Sequence, residues 1–409
     1  MKSLKIAFVV GVFPVISETF IINQLEILKE KGHQLSILCT REVNENSINN
    51  PLVSKNKLLK SAIKFTPKGL IKKNKGLLNK FKILLRSAGT KAFFPLLKSF
   101  RHLILGNIDS FNQQFSKAYF KYFFSVHCFD VVHIHFADNA VHLLEQIKIF
   151  DGKIVVTFHG YDAHNYPADY FKGLQSLSHI TYTVNSNYTK QKVMELGFPH
   201  KNTHVLPVGL DTSFFKPEEN NNKDSFNILF VGRLIPLKAP LLAIKIVEQL
   251  IGIIDKKIIF NIIGMGDCFL ECKTYIEQNN LTKDISLLGS KSQVEVKNLM
   301  NSADVFLYPG IVDDSGRCES QGLVIQEAQA MQLPVIVSDV GGMKEGVLNG
   351  KTGYVINEND IGGFVDKLLL LINNTEMLSE MGVKGRQFVI ANYDSTILHK
   401  KWLEIYNEL

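Results

Sequence analysis

Short β-branched runs alternate with helical patterns along the chain, and no other feature limits its folds so tightly. KIAFVVG, QLSILCT, DVVHIHF, KIVVTFHG and HITYTV form a first series, with NAVHLLEQIKIF and NYTKQKVMELGF among the helical patterns between them. FNILFVG, KIIFNIIG, ISLLG, VFLYPG and PVIVSD form a second. Each run is short and ends in Gly, His or polar residues, as strands buried between helices do. Strand–helix alternation predicts an α/β fold of two doubly wound, Rossmann-like domains facing a central cleft, with ligands at the carboxyl ends of the strands. KPEENNNKDS, residues 216–225, reads as the linker. The expected division is an N-terminal domain over 1–215, a C-terminal domain over 216–390, and a last amphipathic helix over 391–409. That helix carries the only tryptophan, Trp402, and is expected to pack back towards the first domain.

A length of 409 residues fits two such cores. The five cysteines form no CxxC pair and no disulfide-like framework, which suits a reducing cytoplasm. IAFVVGVFPVI resembles the apolar part of a signal peptide, yet no small-residue cleavage site follows it, so it reads as a first buried strand. No charge-free run of 18 apolar residues is present to span a membrane. Charge is unevenly placed: residues 51–125 hold 16 Lys/Arg and a single acid, Asp109, while the remainder carries −8. There lysines alternate with Leu, Ile and Phe at helical spacing, in a stretch too long for a loop. We expect two or three inserted amphipathic helices lying on an anionic membrane, with Lys72, Lys73, Lys75 and Lys80 among the contacts. No nucleic-acid-binding fold or stacking motif accompanies the charge, so nucleic acid is not the expected partner.

Two segments carry recognisable chemistry. VGRLIPLKAP places Arg233 just past a strand and Lys238 at the next helix start. Two cations beside a helix N-terminus suit a diphosphate. CESQGLVIQEAQAMQLPVIVSD puts Glu319 in a loop, starts a helix at Gly322 and Leu323, and sets Glu327 one turn in. Free N–H groups there suit phosphate oxygens, and a carboxylate can accept both bonds of a ribose diol.

GRLIPLKAP, the E-x7-E spacing within ESQGLVIQEAQAMQLPVIVSDVGG, and GKTGYV resemble the carboxyl half of the retaining GT4 glycosyltransferases of GT-B fold. FPVISETFIINQLEILKEKGH, VVHIHFAD, TFHGYDAH and VLPVGLD are similar to the amino half, in the same order. The combination resembles the capsular, colanic-acid and lipopolysaccharide branch, and covers nearly the whole chain outside 45–125. Two departures stand out: Ser-Gln-Gly follows Glu319 where the family has an acidic-glycine-aromatic stretch, and GMGD at 264–267 replaces the GxGP turn.

The resemblance implies a hexosyltransferase using a UDP- or GDP-sugar, with a glycan or polyprenyl-linked glycan as acceptor and no cofactor or metal. It would act in the cytoplasm, peripheral to the inner membrane. Arg233 and Lys238 would hold the donor diphosphate, Glu327 the ribose, and Glu319 the donor-sugar hydroxyls near Gly322 and Leu323. Leu288, Gly289 and Ser290 would meet the base. His159 of HGYD would face the sugar across the cleft, and the loop from Phe13 through Ser17 and Glu18 to Thr19 would close near the phosphates. Where a retaining glycosidase would use a carboxylate nucleophile, the resemblance implies a front-side displacement in which the leaving phosphate itself deprotonates the acceptor. A GT-B-shaped epimerase would have no use for the basic insertion. A non-catalytic nucleotide-sugar-binding or membrane scaffold would be favoured by the loss of Arg233, Lys238 or Glu327, and all three are present.

Other signals point elsewhere. His133 and His135 share a face of one strand, with Asp138 and His142 close behind, a spacing that could hold metal. The same strand end occurs in the resembling family without metal. Asp162 and His164 read as parts of a hydrogen-bonded turn. GMG at 264–266 has Phe269 where a dinucleotide fingerprint needs its third glycine. The DD pair at 313–314 is a loop pair rather than a metal-binding DxD motif, and Cys268 and Cys272 lie one helical turn apart as buried side chains.

Overall fold

The computed structural model describes residues 3–15, 18–44, 58–67, 69–70, 76–218 and 225–408. It separates into two compact units: residues 1–184, 192–205 and 399–409, and residues 185–191 with 206–398.

Among the described residues the first unit holds a seven-stranded sheet of order β3-β2-β1-β4-β5-β6-β7. The strands are β1 (Lys5–Phe13), β2 (Gln34–Val43), β3 (Ala62–Lys64), β4 (Val131–His135), β5 (Lys153–Phe158), β6 (Ile180–Val184) and β7 (Thr203–Val205). The second unit holds six, in the order β10-β9-β8-β11-β12-β13. These are β8 (Phe226–Val231), β9 (Ile258–Ile263), β10 (Ile285–Leu287), β11 (Val305–Tyr308), β12 (Val335–Ser338) and β13 (Gly353–Ile356). Every pairing is parallel. Parallel neighbours need crossover helices, which explains why buried strands such as β4 and β6 are apolar or packed on both faces. In both sheets the chain starts centrally, runs outward, then returns to the other side of its first strand. The order therefore reverses between β1 and β4, and again between β8 and β11. Such a switch point leaves a crevice at the strands' carboxyl ends.

The ten strands read from the sequence are present. β3, β7 and β13 are additional. β3 is three residues long, pairs Ile37 with Ala62, and sits among lysines at helical spacing that mask it. The basic segment is also more structured than two or three helices. Leu77–Arg86, Phe93–Ile104, Ile108–Lys121 and Phe123–His127 are all helical. Their inner faces, including Leu84, Leu96, Phe115 and Phe124, join the core of the first unit. Phe65 anchors this packing, with its ring 5.0 Å from Phe120 and 4.9 Å from Phe123.

Lys80 corrects the expectation that it meets a surface. It is buried, its ammonium bonds Asn112 Oδ1, and it stands 4.9 Å from the Phe111 ring centre. Burial lowers its pKa. Lys72, Lys73 and Lys75 lie outside the described residues.

The last helix, Ser395–Glu408, sends its final residues into the first unit. Trp402 lies 4.7 Å from the His133 ring, and Lys153 Nζ donates to the carbonyls of Tyr406 and Asn407 at 2.9 and 3.2 Å. Among the described residues, no helix is long and apolar enough to cross a membrane.

Candidate active site

In the second unit, the segments flanking the β8/β11 switch carry the charged residues. Arg233 follows β8 and is exposed. Lys238 ends a short 3-10 turn, Pro236–Lys238, ahead of the Pro240–Ile251 helix. Tyr308 is the last residue of β11, and Glu319 lies in the loop that follows it. Lys238 Nζ reaches Glu319 Oε2 at 2.5 Å and Tyr308 Oη at 2.5 Å, while Tyr308 Oη donates to Glu319 Oε2 at 3.1 Å.

This triad is electrostatically self-consistent. Burial works against the Lys238 charge, but the Glu319 carboxylate and Tyr308 hydroxyl outweigh it and hold the pKa above its usual value. Burial pushes Glu319 up, yet Lys238, the Tyr308 hydroxyl and Arg233 together bring it below the usual carboxylate range. Burial keeps the Tyr308 phenol protonated. Both charges of the pair are thus present at neutral pH and largely cancel, which leaves Arg233 as the exposed cation beside them. Tyr308 was not singled out from the sequence. Its only signal is a phenol ending an otherwise apolar strand.

The helix Leu323–Ala330 begins without a side-chain cap behind Gly322, which adopts a left-handed φ of 74°. A Cβ there would stand 2.9 Å from Ile325 Cδ1 and 3.2 Å from Glu319 Cγ, so glycine keeps the helix start clear beside Glu319. Uncapped N–H groups at this end suit an anion. Glu327, one turn along, has its pKa raised to about 7 by burial alone. Among the described residues, no hydrogen bond or ion pair joins it to the Lys238 triad. Beneath the Glu319 loop, Gly342 N donates to Glu319 O at 2.9 Å, and a Cβ on Gly342 would fall 1.8 Å from Ser320 O. Two backbones meet there, and a side chain would push the Glu319 segment outward.

Leu288, Gly289 and Ser290 follow β10. Leu288 N donates to Ile262 O, Gly289 O accepts from Gly264 N, and Ser290 is exposed. Leu234 N donates to Met265 O in turn. The loops after β8, β9 and β10 are thereby stitched into one rim, with the GMGD turn at its centre.

The first unit has a matching constellation at its own switch. Phe13 ends β1 and is buried, Glu18 precedes the Thr19–Glu30 helix that Thr19 starts, and Ser17 lies outside the described residues. Burial raises Glu18 to about 7, against the pull of Arg41 and with a push from Asp138. His159 follows β5, with the Phe20 ring 4.9 Å away. His159 Nε2 meets His135 Nδ1 at 3.0 Å, and burial lowers the His159 pKa to about 3, so its imidazole is neutral. Asp162 shapes this loop. Its Oδ1 accepts from the backbone N–H of His159, Gly160 and Ala163, and its Oδ2 from Ala137. Burial raises its pKa to about 7, against the pull of those donors.

His133 is occupied by Tyr406 Oη and Thr157 Oγ1, each at 2.7 Å. Among the described residues, no group of three or more His, Cys, Asp or Glu is placed to hold a metal ion. Asp313 is consumed by its own loop, accepting from Ser315 and, through both oxygens, from Arg317. Those donors hold its pKa at about 2 although burial opposes them. Cys272 is buried, as expected, whereas Cys268 is partly exposed.

Comparison with known proteins agrees with this architecture. Residues 211–388 match the family "Glycosyl transferases group 1", and residues 89–214 match "Glycosyltransferase Family 4". The amylovoran biosynthesis glycosyltransferase AmsK of Erwinia amylovora is 26% identical over 99% of this chain and 100% of its own length. The putative colanic acid biosynthesis glycosyltransferase WcaL of Escherichia coli K12 is 24% identical over 99% and 100%. Among solved structures, Anabaena Alr3699/HepE in complex with UDP superposes with a TM-score of 0.71 at 14% identity, over 99% of this chain and 100% of that one. With two parallel Rossmann-like sheets and two glycosyltransferase family models that together match residues 89–388, the chain belongs to the GT4 glycosyltransferases, alongside relatives of exopolysaccharide and capsule biosynthesis.

Proposed function

We propose that the chain is a retaining hexosyltransferase that takes a sugar from a UDP- or GDP-sugar and adds it to a lipid-linked or growing surface glycan. The observation that carries this reading is the Lys238–Tyr308–Glu319 triad at the β8/β11 switch, beside an uncapped helix start. Arg233, Lys238 and the N–H groups of 322–323 bind the diphosphate and stabilise the charge it gains on leaving. Glu327, half-buried and without an opposing charge to lower its pKa, accepts from the ribose diol. Glu319 exchanges part of its bond with Lys238 for a donor-sugar hydroxyl, and the backbone of 288–290 meets the base.

In the reaction the bond from the anomeric carbon to the diphosphate oxygen breaks. A bond to the acceptor hydroxyl forms on the same face, and the hydroxyl proton passes to the departing phosphate. His159, Phe13, Ser17, Glu18 and Thr19 contribute further contacts to the sugar and the phosphates. Fixed cations and N–H groups supply the stabilisation, so no divalent ion is required. The Anabaena protein of the same fold holds UDP, which makes uridine donors the first to test. The chain acts as a peripheral protein on the cytoplasmic face of the inner membrane, through its basic segment 51–125.

The test is a thermal-shift panel of UDP- and GDP-sugars, followed by transfer assays with the stabilising donor and analysis of the product anomer. Stabilisation by one nucleotide-sugar and an anomer matching the donor are expected. An inverted product, or no response across the panel, would overturn the proposal.

A further inference from the structure

Two helices of the basic segment, Leu77–Arg86 and Phe93–Ile104, have two apolar faces where a packed helix needs one. On Leu77–Arg86 the inner face presents Ile83 and Leu84 to the core. Leu78, Phe81 and Leu85 instead point to solvent. On Phe93–Ile104 the inner residue is Leu96, and Phe94, Leu97 and Ile104 face outward, with Phe94 76% and Ile104 85% exposed. At 3.6 residues per turn, the outward residues of each helix fall on one stripe. The ring of Phe81 stands 6.4 Å from that of Phe100, which packs against the core, so the two helices adjoin beside these stripes. The exposed cations Lys82, Arg86, Lys98 and Arg101 border them. From 77 to 108 there is no acid.

We infer that this double stripe is a docking face for an anionic lipid surface, with Leu78, Phe81, Leu85, Phe94, Leu97 and Ile104 entering the acyl boundary and the bordering cations meeting the headgroups. The inference rests on the membrane role proposed above and replaces a generic lysine patch with a specific apolar surface. Charge selects the occupant. An apolar face of this kind could also pair with a second copy of the chain. A self-complementary contact, however, would bring Lys82, Arg86, Lys98 and Arg101 against their own equivalents with no acid to offset them. An anionic bilayer satisfies both the apolar stripe and its cationic border. Lys80 takes no part, since it is turned inward on Asn112.

The test uses the full chain with phosphatidylglycerol-containing vesicles and with phosphatidylcholine vesicles. Cosedimentation with the anionic vesicles that falls with salt is expected. Phe94→Ser with Ile104→Ser should weaken it at least ~10-fold through the lost apolar burial, while its salt dependence persists. Lys98→Glu with Arg101→Glu should abolish the preference for anionic lipid. Both pairs are exposed, so melting temperature and transfer to a water-soluble acceptor should stay at wild-type levels. Vesicle binding that ignores both pairs of substitutions would overturn the inference, as would no binding at all. So would a dimer in solution that Phe94→Ser dissociates, which would assign the face to a second copy. Failure of transfer with vesicle binding intact would count against the proposed reaction and leave the docking face standing.

Discussion

Removing the Lys238 ammonium should destabilise the second unit as well as disable it, and Glu319 should be the reason. In Lys238→Met the carboxylate stays where burial disfavours it and keeps only the Tyr308 hydroxyl bond and the more distant charge of Arg233. Breaking a fully buried ion pair from one side costs about 3–5 kcal/mol. The two side chains are 14% and 18% exposed, and Tyr308 still donates, so ~2–3 kcal/mol is the reasonable figure here. For a unit of this size that corresponds to a melting point lower by roughly 5–10 °C. Adding Glu319→Gln removes the orphaned charge, so the double variant should recover most of the loss. Transfer should remain down by ~10²–10³ in both variants, because neither restores the cation facing the leaving group. The assay is thermal melting of wild type, both single variants and the double variant, with turnover measured on the same preparations. A double variant melting as low as Lys238→Met would refute the reasoning, as would a Lys238→Met enzyme with normal turnover.

Glu327 gives a pH test. Its pKa is raised above the usual 4.5 to about 7, so the stability it contributes is complete below about pH 4.5 and is lost as pH rises through about 7. Glu327→Gln should therefore raise the melting point near pH 8 and barely change it near pH 5, while nucleotide affinity in the wild type weakens below about pH 7 as the acceptor is protonated. Asp162→Asn keeps one acceptor oxygen but turns an amide N–H towards Ala137 N–H, and should cost roughly 1–3 kcal/mol by chemical denaturation; unchanged stability would mean the loop is not held by those bonds. Transfer should survive chelation, and activity lost with EDTA and restored by Mn²⁺ would contradict stabilisation by fixed cations and N–H groups.

The sheets were legible because a buried parallel strand leaves little choice of residue: VVHIH, IVVTF and VIVS can hardly do anything else. β3 escaped because a three-residue edge strand imposes no periodicity, and its lysine-rich neighbours impose a different one. At the site, Arg233, Lys238, Glu319 and Glu327 were visible as charges interrupting apolar runs at strand ends. Their mutual arrangement was not. Nothing local in VFLYPG announces that Tyr308 reaches Lys238 and Glu319, because that meeting depends on the crossover from β8 to β11. The same holds for Asp162. A turn was expected around it, but its bond to Ala137 joins two loops that are neighbours only because β4 and β5 pair. Lys80 shows the limit of counting charges, since a lysine at the right spacing can be folded into its own segment.

The last turns of the final helix set a schedule for synthesis. Residues 399–409 complete the first unit, yet all of the second unit except residues 185–191 is translated between Val205 and His399. On a ribosome adding ~5–20 residues per second, that interval is roughly ten to forty seconds. Until it ends, the surface that Trp402 and Tyr406 will cover around His133 is bare, and Lys153 has no carbonyls to hold. The first half to emerge is therefore the last to be finished, and a nascent chain stalled within the second unit would display an apolar seam that a chaperone could recognise.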